Sequence, residues 1–389
     1  MSRRPPLVFI FTVTLTGILN NTLITPAIPD ILAEFGVSNE SSGILVAAGS
    51  TAGVVVAPLV GLLADRFGRR VVLTSCLAIF GTFGLTAALA PTFPILLGAR
   101  LLQGVGSAGL VNLAVVIIGD HWVGAERTKL IGRNASVLTV GLALMPIVSG
   151  AVTQAANWRV TFGLYTVALG TATVAYMVLE PGRPPQRTSP LEQIREAGAI
   201  VRRPEIITIL AIGFLVFMII FGLFLAVFPL QLAQRFDLDA GPRGLMISLP
   251  AVTSSLVAFN LGRIRAALSV RRIIVVGGIG LAVAFFVFGA STALFFVALG
   301  ALAYGASEGA FVPALQDEAM SAAPDEHRGA VMAVWVSAAR LGQTVGPLLT
   351  SAALAVWSPA ATLMIGSAIG LMIALAGWLG PISALRHRP

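Results

Sequence analysis

A chain of 389 residues that is 57% hydrophobic and only 11% charged falls far below the roughly 25% charged content of ordinary soluble domains, which excludes a soluble globular protein. A formal net charge of +8 would suggest a nucleic-acid partner in a soluble protein, but in so apolar a chain it needs a topological explanation first, and no nucleic acid is expected. The single cysteine, Cys76, excludes a disulfide framework, and the three histidines, His121, His327 and His387, have no spacing that suits a metal, so neither metal nor cofactor is expected.

A helix crosses a bilayer with about 20 apolar residues. Twelve such stretches follow one another: Leu7–Ala33, Gly43–Ala64, Val71–Ala90, Pro94–Gly119, Leu130–Thr153, Val160–Leu179, Ile206–Leu232, Gly244–Leu261, Ile273–Thr292, Ala293–Gln316, Ala330–Ala355 and Ala360–Ser383. Arg3 and Arg4 precede the first, which is too long for a signal peptide and lacks a small-residue cleavage site; it is expected to be retained. With the N-terminus inside, 20 of the 25 Lys and Arg fall on cytoplasmic segments, Arg159, Arg235 and Arg243 fall outside, and Arg100 and Arg340 lie within helices. Both termini are therefore expected in the cytoplasm.

The longest hydrophilic stretch, Glu180–Glu205, carries Pro181, Pro184, Pro185, Pro190 and Pro204, a linker composition. Across it the chain repeats. An offset of 201 superposes Gly43 on Gly244, Gly61 on Gly262, Gly104 on Gly305, Arg127 on Arg328, Gly141 on Gly342 and Pro146 on Pro347, while Pro29 and Pro229 match at 200. Two parallel halves, 1–180 and 206–389, joined by a linker at 181–205, are expected.

Between the second and third stretches runs GLLADRFGRRVVL, a tight cationic turn with no soluble loop around it. Asp65 and Arg69 form an i, i+4 ion pair on any helical turn there, and Gly61 and Gly68 would let backbones approach closely. Gly61, Leu63, Ala64, Asp65, Arg66, Gly68, Arg69 and Arg70 together resemble the signature loop of the major facilitator superfamily of transporters. The resemblance implies a gate in which Asp65 sits at the N-terminus of helix eleven, near Arg328, Gly329 and Ala330, and locks one access state. A plain positive-inside hairpin is the alternative. In the second half Asp65 becomes Ala266 and Gly68 becomes Ser269, while Arg271 and Arg272 keep the basic end.

Three further segments are similar to family motifs. LGARLLQGVG on helix four carries Arg100, Gln103 and Gly104; a charge inside the membrane is costly, so Arg100 is a site candidate, with snorkelling to the outer interface as its alternative. On helix five, Gly141 to Gly150 resembles the antiporter motif GxxxGPxxGG with Met145 and Ser149 in place of two glycines, and Gly342, Gly346 and Pro347 repeat it on helix eleven. Gly141, Pro146, Gly342, Gly346 and Pro347 also read as kinked, small-faced helices at the interface between the halves. Trp158 and Arg159 opening helix six read as interfacial anchors.

Of the acidic residues only Glu308 is clearly inside. On helix ten it shares a face with Tyr304 and Phe311, ~12 Å deep from the cytoplasmic end, with Arg340 of helix eleven ~15 Å deep from the same side. The two can be neighbours, either as a permanent structural pair or as a switch that lets Glu308 take a proton when Arg340 moves away. Asn20 and Asn21 sit near the middle of helix one, where family members often carry a carboxylate; they bind substrate or bond another helix. Phe214, Phe217, Phe221, Phe224 and Phe228 form a stripe on helix seven that either packs or faces lipid, or else makes an aromatic wall for a lipophilic ligand.

The fold expected is all-α, twelve transmembrane helices in two pseudo-symmetric six-helix bundles in the cell membrane. The motifs are closest to the drug:proton antiporter branch, which implies export of small amphiphilic compounds in exchange for protons, by a monomer in the lipid bilayer. Substrate contacts are expected from Asn20, Asn21, Arg100, Tyr304, Phe311, Phe221 and Phe224, proton coupling from Glu308 and Arg340, and gating from Gly61, Asp65, Arg66, Gly68, Arg69 and Arg70. Alternatives are an exporter of an anionic metabolite such as a siderophore, a lipid flippase, or a transport-dead receptor or scaffold. No phosphate loop, metal cluster or nucleophile–histidine arrangement supports an enzyme.

Overall fold

The computed structural model describes residues 4–181, 198, 202–321 and 328–381. Most of the expected linker, Arg3, His327 and the terminal Arg386, His387 and Arg388 lie outside the described residues. All regular structure among the described residues is helical. In chain order the helices are Leu7–Thr22 (α1), Ile28–Phe35 (α2), Ser41–Phe67 (α3), Arg69–Ala88 (α4), Phe93–Ser107 (α5), Leu110–His121 (α6), Gly124–Ala155 (α7), Trp158–Gly163 (α8) and Val167–Val178 (α9). They continue as Pro204–Met218 (α10), Phe228–Phe236 (α11), Ala240–Phe259 (α12), Leu261–Ala267 (α13), Val270–Ala290 (α14), Leu294–Ser321 (α15), Arg328–Leu354 (α16) and Pro359–Leu379 (α17). Among the described residues nine helices are long and apolar enough to cross a bilayer, or up to eleven if each of two bent pairs, Ser41–Ala57 with Leu59–Phe67 and Ala240–Phe259 with Leu261–Ala267, is one span.

The first and seventh stretches are not continuous, contrary to expectation. Pro26 has no N–H for the carbonyl of Thr22, so α1 stops there. The chain passes through a 3-10 turn, Thr25–Ala27, and resumes as α2 with Pro29 in its first turn. The second half breaks at the matching place by another route, a π-helical segment Ile219–Phe224, before α11 opens with Pro229 in its first turn. Both short helices end on a left-handed residue, Gly36 at φ 62° and Asp237 at φ 51°, positions related by the repeat offset.

Local chemistry sets the remaining joints. Gly68 lies between α3 and α4 at φ 89°, a value that a residue with a Cβ rarely adopts. Asn157, Ser269 and Ser358 cap α8, α14 and α17, each side chain accepting a backbone N–H of the first turn, as helix N-termini require. Where α14 crosses α17, a Cβ on Gly278 would meet Ala374 N at 2.6 Å and one on Gly370 would meet Ala282 N at 2.6 Å. Such small-residue contact replaces the hydrophobic drive that is missing between helices in lipid. Gly61, in contrast, is exposed, and a Cβ there would meet nothing within 4 Å among the described residues, so the expected close approach at that position is not found.

The chain divides into two compact units, one of Met1–Ser38, Ile44–Thr188 and Asp239–Leu245, the other of Asn39–Gly43, Ser189–Leu238 and Met246–Pro389. In the first unit Glu34 accepts from Trp158 Nε1 and from Arg159, while Arg159 Nη1 also donates to the carbonyls of Ala88 and Ala90 at 3.0 and 2.8 Å. Trp158 is only 2% exposed, so it is a core residue of this staple rather than an interfacial anchor. Within the same unit the start of α12 is held by an ion pair of Arg243 with Asp30 and by Gly241 N donating to Gln154 Oε1 at 3.1 Å.

The second unit is centred on rings. Tyr304 stacks on Phe224 at 4.5 Å between centroids, Phe224 stacks on Phe228 at 5.2 Å, and Phe285 and Phe288 meet them edge-on or tilted. Phe228, Phe285, Phe288 and Phe311 are fully buried, and Phe224 and Tyr304 nearly so. The expected aromatic wall is, at Phe224, sealed core, and so are Tyr304 and Phe311, expected as substrate contacts. Phe221 keeps partial exposure and faces Phe217, which meets Trp335 edge-on at 5.8 Å.

The motif glycines pack within their own units. A Cβ on Gly141 would meet Leu15 and Ile18 of α1 at 2.9 and 3.1 Å, and Gly342 and Gly346 lie against the backbone of α10 at Phe214 and Met218. Pro146 and Pro347 lie inside α7 and α16.

Candidate functional site

The break of α1 leaves main-chain carbonyls without the donors of a continuing helix. In lipid each such group costs several kcal/mol unless it is answered. The carbonyl of Asn21 receives Thr25 Oγ1 at 2.7 Å, and that of Asn20 receives Arg100 Nη2 at 2.7 Å and the Tyr165 hydroxyl at 3.3 Å.

Arg100 reaches there because α5 carries Gln103 one turn on, whose Oε1 takes Nη1 at 2.6 Å; Nη1 also lies 3.4 Å from the Tyr165 hydroxyl. Tyr165 is held by edge-on contacts with Phe80 and Phe162. The guanidinium is 0% exposed, so Arg100 does not snorkel. No carboxylate of the described residues pairs with it. The negative end of the α1 dipole, concentrated in the carbonyls at its broken end, supplies the counter-charge.

Gly49 of α3 closes the cluster. Its carbonyl accepts Asn20 Nδ2 at 2.9 Å, and a Cβ there would come within 2.5 Å of Arg100 Nη2. Because Nδ2 is committed to Gly49, Asn20 Oδ1 is the free acceptor of that amide. Asn20 Oδ1, Asn21 Oδ1, Arg100 Nε and Gln103 Nε2 are all buried without a hydrogen-bond partner among the described residues. The cluster thus offers two acceptors and two donors to a polar group.

In the second unit Glu308 of α15 has the Ser254 side chain of α12 as its hydrogen-bonding neighbour. The approach is possible because Gly305 and Gly309 of α15 lie against the backbone of α12 at Pro250 and Ser254. Glu308 and Arg340 were expected to pair, yet no ion pair of the described residues joins them. Equal depth does not give equal azimuth. Glu308 is itself part-exposed, and the buried carboxylate among the described residues is another: α15 runs past the expected Gln316 to Ser321, and Glu318 on that extra turn is 3% exposed, 3.9 Å from Arg265. Arg265 also pairs with Asp317.

At the loop between α3 and α4, Arg69 pairs with Asp65 at 2.7 Å and with Asp120 of α6 at 3.1 Å. Arg70 lies over the Tyr176 ring at 3.9 Å, and Arg66 is exposed beside Phe67. Asp120, Tyr165, Gly49, Ser254 and Glu318 went unread in the sequence; only the polar character of Asp120 and Glu318 beside an apolar run could have singled them out.

Among the described residues, an all-helical fold with a break in each half and at least nine helices long and apolar enough to cross a bilayer defines a polytopic membrane protein. Residues 10–243 and 210–389 each match the model of the Major Facilitator Superfamily, and the chain belongs to that family. That family is one of multi-pass membrane transporters, not of enzymes.

The chain is 26% identical over 263 residues to the bacillibactin exporter of Bacillus subtilis, covering 65% of each protein. It is 36% identical over 149 residues to the efflux pump dotC of Dothistroma septosporum, covering 37% of this chain and 25% of that one. The chain thus spans less than two-thirds of the length of these curated relatives. In fold it is similar to a bacterial homologue of the human lysosomal transporter Spinster, solved inward-facing and occupied, with TM-score 0.80, 16% identity and coverage of 96% and 95%. A D-xylose–proton symporter gives TM-score 0.76 at 18% identity, covering 96% of each chain.

Proposed function

We propose that this transporter exports small amphiphilic compounds in exchange for protons, by alternating access of two six-helix halves with twelve spans, 1–180 and 206–389, joined by the linker 181–205. Both termini face the cytoplasm, the chain sits in the cell membrane, and it acts as a monomer. Asn20 and Asn21 receive the substrate, with Arg100 holding the segment that carries them and Phe221 contributing apolar contact. Glu308 carries the proton, and Arg340, on the neighbouring α16, biases its charge. Asp65, Arg66, Gly68, Arg69 and Arg70 form the cytoplasmic gate, with Asp120 sharing Arg69.

The observation that carries this reading is the pair of uncommitted amide oxygens at the break of α1. Discontinuous helices near the midplane are where transporters bind their cargo. Supporting the proton step, Glu308 is answered by a hydroxyl, which leaves the carboxyl able to change protonation state as its surroundings change.

The test is proton-gradient-driven movement of ethidium in proteoliposomes, comparing the parent with Glu308→Gln. Loss of gradient-driven transport with ethidium binding retained supports the antiport reading. Undiminished transport in the variant removes Glu308 as carrier.

A second reading is export of an anionic metabolite such as a siderophore, favoured by the likeness to a bacillibactin exporter. Transport of bacillibactin and not of ethidium by the parent would select it.

A further inference from the structure

Beside the carbonyls of Asn20 and Asn21, the break of α1 strands a third, that of Leu23. Pro26, three residues on, has no N–H, and Ala27, four residues on, donates to Ile24 at 3.0 Å. The donor that reaches Leu23 comes from α7: the hydroxyl of Ser149. Ser149 is 0% exposed, and its own carbonyl lies 3.5 Å from Thr161 Oγ1, which in turn is 2.8 Å from Thr153 Oγ1. Ser149 stands where the antiporter-type pattern has glycine. A glycine could not make this bond and would leave a buried carbonyl unanswered.

The matching residue of the second half, Thr350, turns back on its own helix and donates to Gly346 O at 2.5 Å, close against Gly222 of the π segment. A hydroxyl therefore sits at both repeat positions, but at Ser149 it ties α7 to the broken end of α1.

We propose that Ser149 is a positioning residue of the substrate site. By holding Leu23 against α7 it fixes the end of α1, so that Asn20 Oδ1 and Asn21 Oδ1 stand as free acceptors for a substrate group that donates hydrogen bonds, an ammonium or a hydroxyl. The inference rests on the reading of Asn20 and Asn21 as substrate contacts.

The experiment compares full-length Ser149→Gly, Ser149→Ala and Ser149→Thr in liposomes with ethidium as probe, together with hydrogen exchange of the peptide from Leu19 to Ile28. In the Gly and Ala variants the half-saturating ethidium concentration is expected to rise roughly tenfold, the scale of one unanswered buried acceptor. Maximal rate stays near the parent's while the melting temperature falls modestly in Gly and Ala, and Thr, which keeps the hydroxyl, restores both half-saturation and melting temperature. The peptide exchanges about tenfold faster in the Gly variant, a readout that needs no substrate. Unchanged exchange with Gly overturns the proposal whatever the cargo. So does an unchanged half-saturation in both Gly and Ala, or a fall in rate and melting temperature alone. Asn20→Ala and Asn21→Ala separate the two readings: if neither shifts half-saturation, the substrate site itself is wrong; if they shift it and Ser149→Gly does not, only the positioning role falls.

Discussion

Arg100 Nη2 donates to the main-chain carbonyl of Asn20 at 2.7 Å, so a fully buried cation is balanced by the end of a broken helix and not by an acid. Charge and fold are interlocked at this point: Arg100 is held by the broken end of α1, and without Arg100 the Asn20 carbonyl would keep only the longer bond from Tyr165.

Arg100→Lys is expected to be damaging although it keeps the charge. One ammonium cannot serve the Asn20 carbonyl, Gln103 Oε1 and Tyr165 together as the planar fork does. A loss of about 2 kcal/mol in stability follows from the unanswered groups, measured as a lower unfolding midpoint of the purified protein. A midpoint equal to the parent's would mean that the Asn20 carbonyl finds another donor.

Gly49→Ala places a methyl 2.5 Å from Arg100 Nη2. The guanidinium must shift, and overpacking of this kind costs about 1–3 kcal/mol. Thermal unfolding reads the loss. The double variant Gly49→Ala with Arg100→Ala should lose less than the two single changes added; strict additivity would separate the two residues.

Glu34→Gln keeps the shape of the staple between α2, α4 and α8 but weakens its charged bonds to Arg159. Both side chains are partly exposed, 43% and 31%, so the expected cost is about 1 kcal/mol, and it shrinks with added salt. Denaturant unfolding at low and high ionic strength checks both. No salt dependence would assign the staple to Trp158 packing.

Asp120→Asn removes one of two carboxylates that share Arg69. A partly exposed pair adds less than about 1 kcal/mol to stability, so the unfolding midpoint should hardly move. The transport rate is expected to fall several-fold, because Arg69 then stays with Asp65. An unchanged rate would take Asp120 out of the gate.

How far the sequence could be read depends on what each feature requires. The helices and the repeat were legible because lipid demands long apolar runs, and polar residues inside those runs, Asn20, Asn21, Arg100 and Glu308, stood out against them. Their partners did not stand out. Tyr165 looks like any interfacial tyrosine, and Gly49 is one of 41 glycines. Depth along a helix follows from counting residues, but the facing side of the helix follows from packing, which is why Glu308 is met by Ser254 and not by Arg340. Glu318 was missed because the apolar run ends before the helix does. Pro26 and Pro29 were visible, yet proline is tolerated in membrane helices, so the length of the interruption was not.

The two breaks are wound in opposite ways, tighter than an α-helix at Thr25–Ala27 and looser at Ile219–Phe224. Near them the copies slip by one residue, so that Pro29 answers Pro229 at 200 while most of the chain keeps 201. One residue is about 100° around a helix at 3.6 residues per turn. A side chain transplanted between the halves by the common offset would therefore land on a different face beside the break, so the duplicated halves are not interchangeable parts there.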